Sequence, residues 1–264
     1  MQMYCVTHLP IETLRDSAVI PVFVGKGLPP AGFLTDSSGD NIHVKNDTFC
    51  EMTAQYWVWK NEFNHLKDDD LVGFCHYRRF LVAPDSLSDD GSIDASFYDK
   101  EELEKLVSYY HQTGADVILA PRLNLEKDHF HGKFSFIMAQ IMMRRPRIFW
   151  KCTTYAHYAT YQNASDILKA ADLLDDRFRN RFLYHIRHSK CLYPCNMYIG
   201  SVKTLSAYFA IVFPWLFRCE KTLDVDMNDT VRRRVFGYLA EFFASYYFST
   251  VVTFREGRLA MVRS

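Results

Sequence analysis

The residues best suited to chemistry lie in one run, His76-Tyr77-Arg78-Arg79, directly after the apolar stretch Leu71–Cys75. Two guanidiniums at the end of a buried strand present planar forks of donors that stay protonated, which suits a doubly charged phosphate ester. Open α/β sheets bind ligands at the carboxyl ends of their strands, so position and charge agree. The plainer alternative is a strand end whose arginines face solvent or pair with Asp68–Asp70, and such exposed pairs signify little.

Three further groups could join that site. The loop from Asp36 to Asn46 is dense in hydrogen-bonding groups, and Asp40, Asn41, Lys45 and Asn46 could hold ribose or sugar hydroxyls. Turns capped by Asx side chains are the usual fate of this composition. Tyr56 and Lys60 are i,i+4 neighbours on an aromatic helix and would share one face. Glu241 is the one charge between Val235 and Phe254, and a lone acid in an apolar helix is either paired or a base with an altered pKa.

Other patterns carry less. Asp224-Val-Asp226 could hold a divalent ion on a diphosphate, but no apolar strand precedes it, so it reads as a solvated loop. His129-x-His131, His185-x-x-His188 and Cys191-x-x-x-Cys195 lack the further ligands a metal site needs. Walker, Gly-x-Ser-x-Gly and His-Glu-x-x-His motifs do not occur.

The elements that must position these groups follow from pattern. Met3–Thr7, Ile20–Val24, Leu71–Tyr77, Asp116–Ala120 and Asn196–Ser201 read as strands. Residues 49–65, 100–113, 148–184, 204–217 and a segment starting near 235 read as helices, the first capped by Asp47 or Thr48 with Glu51 completing a capping box. Alternation of strand and helix predicts an α/β fold with a mostly parallel sheet covered on both faces. With 264 residues and no linker or repeat, a single domain is expected over 1–264, with a ligand-binding half at 1–122 and a helical half at 123–264.

Composition narrows the function. Lysine plus arginine and aspartate plus glutamate number 31 each, which argues against a general nucleic-acid binder. Seven scattered cysteines suit a reducing cytoplasm better than a disulfide framework. The start, Met-Gln-Met-Tyr-Cys-Val-Thr-His, lacks the pattern of a signal peptide. Residues 235–254 have the length of a membrane span, yet Gly237, Ser245, Ser249 and Thr250 dilute them, so a buried helix followed by a strand is expected.

Four stretches together resemble one family. They are Gly39–Asn46 with Phe49–Asn61, Val72–Phe80, Asn196–Ile199 and Arg234–Glu241. The chain is similar to the bacterial capsular and exopolysaccharide glycosyltransferases long catalogued as a domain of unknown function, from about Tyr4 to Tyr247. Phe242 stands where that family usually carries arginine, so no role is given to an arginine there. The resemblance implies a GT-A-like fold and transfer of a sugar, with a lean to galactose or galactofuranose, from a nucleotide sugar to a growing surface glycan. The expected donor site comprises His8, Asp40, Asn41, Lys45, Asn46, Tyr56, Lys60, His76, Tyr77, Arg78 and Arg79. Asn196 and Met197 are expected to hold the acceptor, and Glu241, with Asp40 and Asp116 behind it, to act as the base of an inverting transfer. His76-Tyr77-Arg78 occupies the place of the usual Asp-x-Asp metal motif of GT-A folds, so cations are expected to do the work of a metal, and no cofactor is assigned. The expected partners are a uridine-diphosphate sugar and a glycan or lipid-linked acceptor, met in the cytoplasm or at the inner face of the membrane. A sugar-nucleotide or glycan-binding protein without catalysis is the alternative.

Overall fold

Apolar residues run unbroken along the first strand, and the pleat sends successive ones to opposite faces, which builds two cores. In a computed structural model, described over residues 1–86, 92–93, 98–126 and 153–262, β1 (Gln2–Thr7) sends Tyr4 and Val6 to one face of the sheet and Met3 and Cys5 to the other. It lies between β2 (Ile20–Phe23) and β4 (Leu71–His76), parallel to both, and β3 (Leu34–Thr35) extends the parallel set. On the other side of β4 comes β10 (Tyr198–Ser201), antiparallel to β4 and to β7 (Val117–Leu119), with β11 (Phe254–Glu256) parallel to β7 at the edge. The order is therefore β11-β7-β10-β4-β1-β2-β3, a mostly parallel sheet with one reversed strand. A hairpin turn at Tyr77-Arg78 sends β5 (Arg79–Val82) back from β4 to pair with β12 (Arg258–Val262), which also meets β6 (Ser92–Ile93). A separate antiparallel pair joins β8 (Leu123–Asn124) to β9 (Cys191–Leu192).

Gly73 lets the centre close. A Cβ there would fall 2.7 Å from Met3 Cε and 2.8 Å from an Ile199 side-chain carbon, so only glycine admits both neighbours.

Helices α1 (Asn46–Phe49) and α2 (Met52–Asn61) follow the polar loop, and α3 (Lys100–Thr113) ends at left-handed Gly114. Where one helix is expected over 148–184, three occur in the described part: α4 (Thr154–Tyr161), α5 (Ala164–Asp172) and α6 (Asp176–His188). Asn163 caps α5 through its side chain, which restarts the helix there. His129 and His131 lie outside the described residues. Helix α7 (Val202–Thr222) runs longer than its sequence pattern suggests, starting at a Ser201 cap and carrying Pro214 inside.

Helix α8 (Val235–Thr250) is the stretch that imitates a membrane span. Twelve of its 16 residues are buried, against α6, α7 and the sheet, and β11 follows, as the dilution by polar residues predicts. Among the described residues no helix is long and apolar enough to cross a membrane. The aromatic surplus is mostly core: Tyr208 meets Phe248 with ring centroids 4.6 Å apart, and Trp215 meets Phe243 at 5.0 Å. Such pairs add to their area of burial through edge and offset-stacked geometry.

Candidate functional site

A backbone kink lies just before β10. Cys195 and Asn196 both adopt left-handed φ, 72° and 49°, directly after Pro194. Asparagine tolerates that region and cysteine does so poorly, so the surroundings must impose it. They do so through a closed set of bonds. The Cys195 N–H donates to Glu241 Oε2 at 2.9 Å, and the Cys195 carbonyl accepts from His76 Nε2 at 2.8 Å. Gln55 Nε2 donates to the Asn196 carbonyl at 2.8 Å, and Tyr198 holds Gln55 in turn through its hydroxyl. Asn196 Nδ2 donates to Glu51 Oε1 at 2.7 Å and to the Gly237 carbonyl at 3.3 Å. Asn196 Oδ1 is buried with no partner.

These bonds gather charge at the carboxyl end of β4. Because β10 runs backwards, its entrance meets the exit of β4, and α8 brings Glu241 in from above. Burial is the main cause that pushes the half-buried Glu241 carboxyl up to about 7, and the Glu51 charge adds to it. The Cys195 N–H, Arg234 and Arg79 oppose that rise. Arg79 Nη1 lies 3.7 Å from Cys195 Sγ, and Arg234 Nε donates to Cys50 Sγ at 3.2 Å. Burial pushes both thiols up to about 12, so they are neutral acceptors here and not nucleophiles. Burial also lowers the His76 pKa, and a carbonyl partner requires the proton on Nε2. Gly237 makes room for this arrangement: a Cβ would lie 3.0 Å from Cys50 Sγ.

A second polar group forms beside α1 and α2. Asp36 is 1% exposed, its Oδ2 has no partner, and burial raises its pKa against the opposing effects of Thr53 and His43. Asn46 Nδ2 donates to the Cys50 carbonyl and to Thr53 Oγ1, both at 3.0 Å.

The structure divides the sequence-predicted residues. His76, Arg79, Asn196 and Glu241 meet around the kink, with Met197 buried next to it. Arg78 does not join Arg79. The hairpin turn points it to solvent, where it lies over the Tyr77 ring at 5.2 Å, and Tyr77 meets His8 edge-on at 5.2 Å. Asp40 is exposed at the far end of α2, where its Oδ1 accepts from Tyr56 at 3.1 Å and Asn61 brackets its backbone. No bond links it to the Glu241 cluster. Asn41 closes its own turn by donating to the Gly39 carbonyl, and Lys45 pairs with Glu220. Lys60 lies 3.9 Å from the Trp59 ring centroid and 5.7 Å from that of Tyr56.

The expected capping box is absent. Asp47 sits inside the first turn, Thr48 donates back to the Lys45 carbonyl, and Cys50 (φ 53°) breaks the helix. That break frees Glu51 to reach Asn196, a role the capping pattern concealed. Sequence reasoning also missed Asp36 and Arg234. Both stand at the border of a quoted motif, which is the only signal they give. Asp224 and Asp226 line a small cleft with Asp166 and Arg232, and Asp226 accepts from the Asn228 N–H at 3.0 Å.

Comparison with known proteins bears on the whole chain. The family model described as "Domain of unknown function (DUF4422)" matches residues 2–251, so the chain belongs to that family. No curated protein matches it. Among solved structures it is similar to the apo form of WbbM, a bifunctional glycosyltransferase, with a TM-score of 0.76 and 23% identity. The alignment covers 100% of this chain and 45% of that one, so this chain spans less than half of its solved neighbour. At that identity the likeness establishes the fold.

Proposed function

We propose that this DUF4422 protein is a glycosyltransferase with a GT-A-like fold, and that the Cys195–Asn196 kink marks its reaction centre. The single observation that carries the reading is the kink itself: two adjacent left-handed residues held by Glu51, Gln55, His76 and Glu241. Backbone strain fixed from so many sides is characteristic of functional sites. The fold shared with a solved glycosyltransferase supports the reaction class.

In this reading the donor is a nucleotide sugar, with uridine diphosphate as the expected nucleotide and galactose or galactofuranose as the favoured sugar. Its nucleoside end lies toward Asp36 and Asn46, where a buried carboxylate oxygen lacks a partner. Its diphosphate lies between Arg79 and Arg234, which replaces the Arg78–Arg79 pairing expected from sequence. Glu241 accepts the proton of the acceptor hydroxyl. The acceptor oxygen forms its bond to the anomeric carbon as the bond from that carbon to phosphate oxygen breaks, with inversion. The leaving diphosphate carries its charge to the two guanidiniums, which is stabilisation where charge develops. A carboxyl titrating near 7 is suited to such a base at neutral pH. Asn196 Oδ1 is buried without a partner, an acceptor left over beside the kink. The acceptor is a growing surface polysaccharide, free or lipid-linked, and the cations make a metal unnecessary for charge neutralisation.

A thermal-shift series with uridine diphosphate and its sugars, with and without EDTA, tests this reading. Stabilisation that survives EDTA, vanishes in Arg234→Ala and persists in Arg78→Ala is the expected result. Abolition by EDTA would remove the metal-free assignment. Equal loss in both variants would return the diphosphate to the hairpin turn. Donor binding that survives together with full turnover in Glu241→Gln would make Glu241 a structural acid.

A further inference from the structure

Helices α4 and α8 meet through two pairs of aromatic rings, and the pairs differ. The inner pair, Tyr158 and Phe242, is buried and meets edge-on with centroids 5.2 Å apart, which is ordinary core packing. The outer pair, Tyr161 and Tyr238, lies nearly parallel, with 14° between planes and 5.9 Å between centroids. Carbon atoms in contact stand about 3.5–4 Å apart, so parallel rings this far apart overlap only at their margins. Tyr161 is 44% exposed and Tyr238 partly so. The outer pair is thus a shelf of two rings at the surface.

The shelf is anchored next to the candidate site. Gln162, the buried residue that follows Tyr161, donates through Nε2 to the Val231 carbonyl at 2.9 Å, which ties the end of α4 to the turn before α8. From the cap of α8 onward, Arg234, Tyr238 and Glu241 follow an i, i+4, i+7 spacing and share one face. Arg234 Cζ lies 5.9 Å from the Tyr238 ring centroid. Burial raises the Tyr238 pKa, Arg234 opposes that rise, and Glu241 and Tyr161 add to it, so the ring lies in the field of all three. Tyr238 therefore stands between the proposed phosphate-binding cation and the proposed base, and Tyr161 extends the shelf toward solvent.

Sugar rings carry a face of C–H groups whose partial positive charge suits the negative face of an aromatic ring. The donor's nucleoside already has its place toward Asp36 and Asn46, and its diphosphate lies at the arginines. A single donor sugar needs no row of rings leading outward. A polymeric acceptor does, because its reacting hydroxyl must reach Glu241 while the rest of the chain leaves the site. We infer that Tyr238 and Tyr161 stack the terminal hexose units of a glycan, the acceptor of the proposed transfer. The acceptor role rests on the transferase reading, but saccharide binding is measured without turnover.

The test is saturation-transfer NMR on the full chain with methyl glycosides of galactose, glucose and rhamnose and with a galactose disaccharide, in the presence and absence of uridine diphosphate. The proteins are wild type, Tyr161→Ala, Tyr238→Ala and Tyr161→Phe, with circular dichroism to check each fold. Tyr161 is exposed, so its alanine variant keeps the test open if Tyr238→Ala misfolds. Saturation of wild-type aromatic protons should reach the C–H protons of one sugar face, and the disaccharide should bind more tightly than methyl galactoside. Loss of either ring should weaken binding by about fivefold or more, whereas Tyr161→Phe should keep it, since the ring carries the contact. No saccharide binding by wild type, or equal binding by Tyr161→Ala, overturns the inference and leaves the donor reading to its own thermal-shift test. Loss of the uridine diphosphate thermal shift in folded Tyr161→Ala would give the shelf to the donor's base and overturn the inference as well. Ring-dependent saccharide binding without any nucleotide shift in wild type would uphold the glycan shelf and sink the donor reading alone.

Discussion

The two ends of α2 are built from similar residue types and do opposite things. At its start, Glu51 and Gln55 hold a strained, left-handed turn and leave Asn196 Oδ1 unsatisfied. At its end, Tyr56, Trp57 and Asn61 close an exposed loop in which the donors and acceptors meet one another. Trp57 Nε1 donates to the Ser38 carbonyl at 2.8 Å, Asn61 clasps the Asp40 backbone, and Tyr56 donates to Asp40. Satisfied polar groups stabilise a loop, whereas strain with an unpartnered buried atom signals a place kept ready for a ligand. In the proposed reading, chemistry belongs to the Glu51 end and support to the Asp40 end.

The strongest way to break that contrast is Glu241→Gln. It keeps an acceptor for the Cys195 N–H and removes the proposed base, so transfer should fall by at least about a hundredfold. Its stability should move the other way. The folded protein keeps a proton on Glu241 up to about pH 7, whereas the unfolded chain releases it near the ordinary value of 4.5. Folding stability therefore declines as pH rises between these values, by roughly 3 kcal/mol if the whole shift is expressed. Glu241→Gln should be the more stable protein at pH 8 and show no gain at pH 4, as read by urea denaturation at both. The wild-type transfer rate should rise with pH through about 7.

Removal of one cation comes next. Arg234→Ala and Arg79→Ala should each cost about 2–4 kcal/mol in the barrier, while Arg78→Ala stays near wild type, by steady-state kinetics. A smaller effect sharpens the role of strain. Asn196→Gly keeps the left-handed backbone but takes the donor from Glu51 and the Gly237 carbonyl, so stability should fall by about 1–3 kcal/mol and KM or kcat suffers. Asn196→Ala should lose both. The smallest effect is expected from Tyr56→Phe, which removes a hydrogen bond at the supporting end. It should lower stability by about 0.5–1.5 kcal/mol and leave turnover within about threefold.

Much of the fold is legible in sequence because alternation and caps are local. Leu71–Cys75 reads as a buried strand and is one, and Lys100–Thr113 runs to Gly114 as its pattern says. The kink is not legible. Left-handed Cys195 and Asn196 are imposed by groups 41 to 145 positions away in sequence, a distance no local pattern spans. Glu51 hid behind a capping motif that the break at Cys50 cancels. That Arg79, and not Arg78, shares the surroundings of Glu241 with Arg234 was hidden because Arg78 and Arg79 look equivalent in sequence. The hairpin turn then sends them to different sides. Glu241 was readable for a simple reason: it is one charge in an otherwise uncharged helix.

Side-by-side kinetics of Glu241→Gln and Asp40→Asn test the contrast most directly, with uridine-diphosphate sugar consumption as the readout, since donor hydrolysis needs no acceptor. Loss of turnover in Glu241→Gln, with Asp40→Asn within a few-fold of wild type, is the predicted result. Full turnover in Glu241→Gln together with loss in Asp40→Asn would contradict it and move the base to the other end of α2.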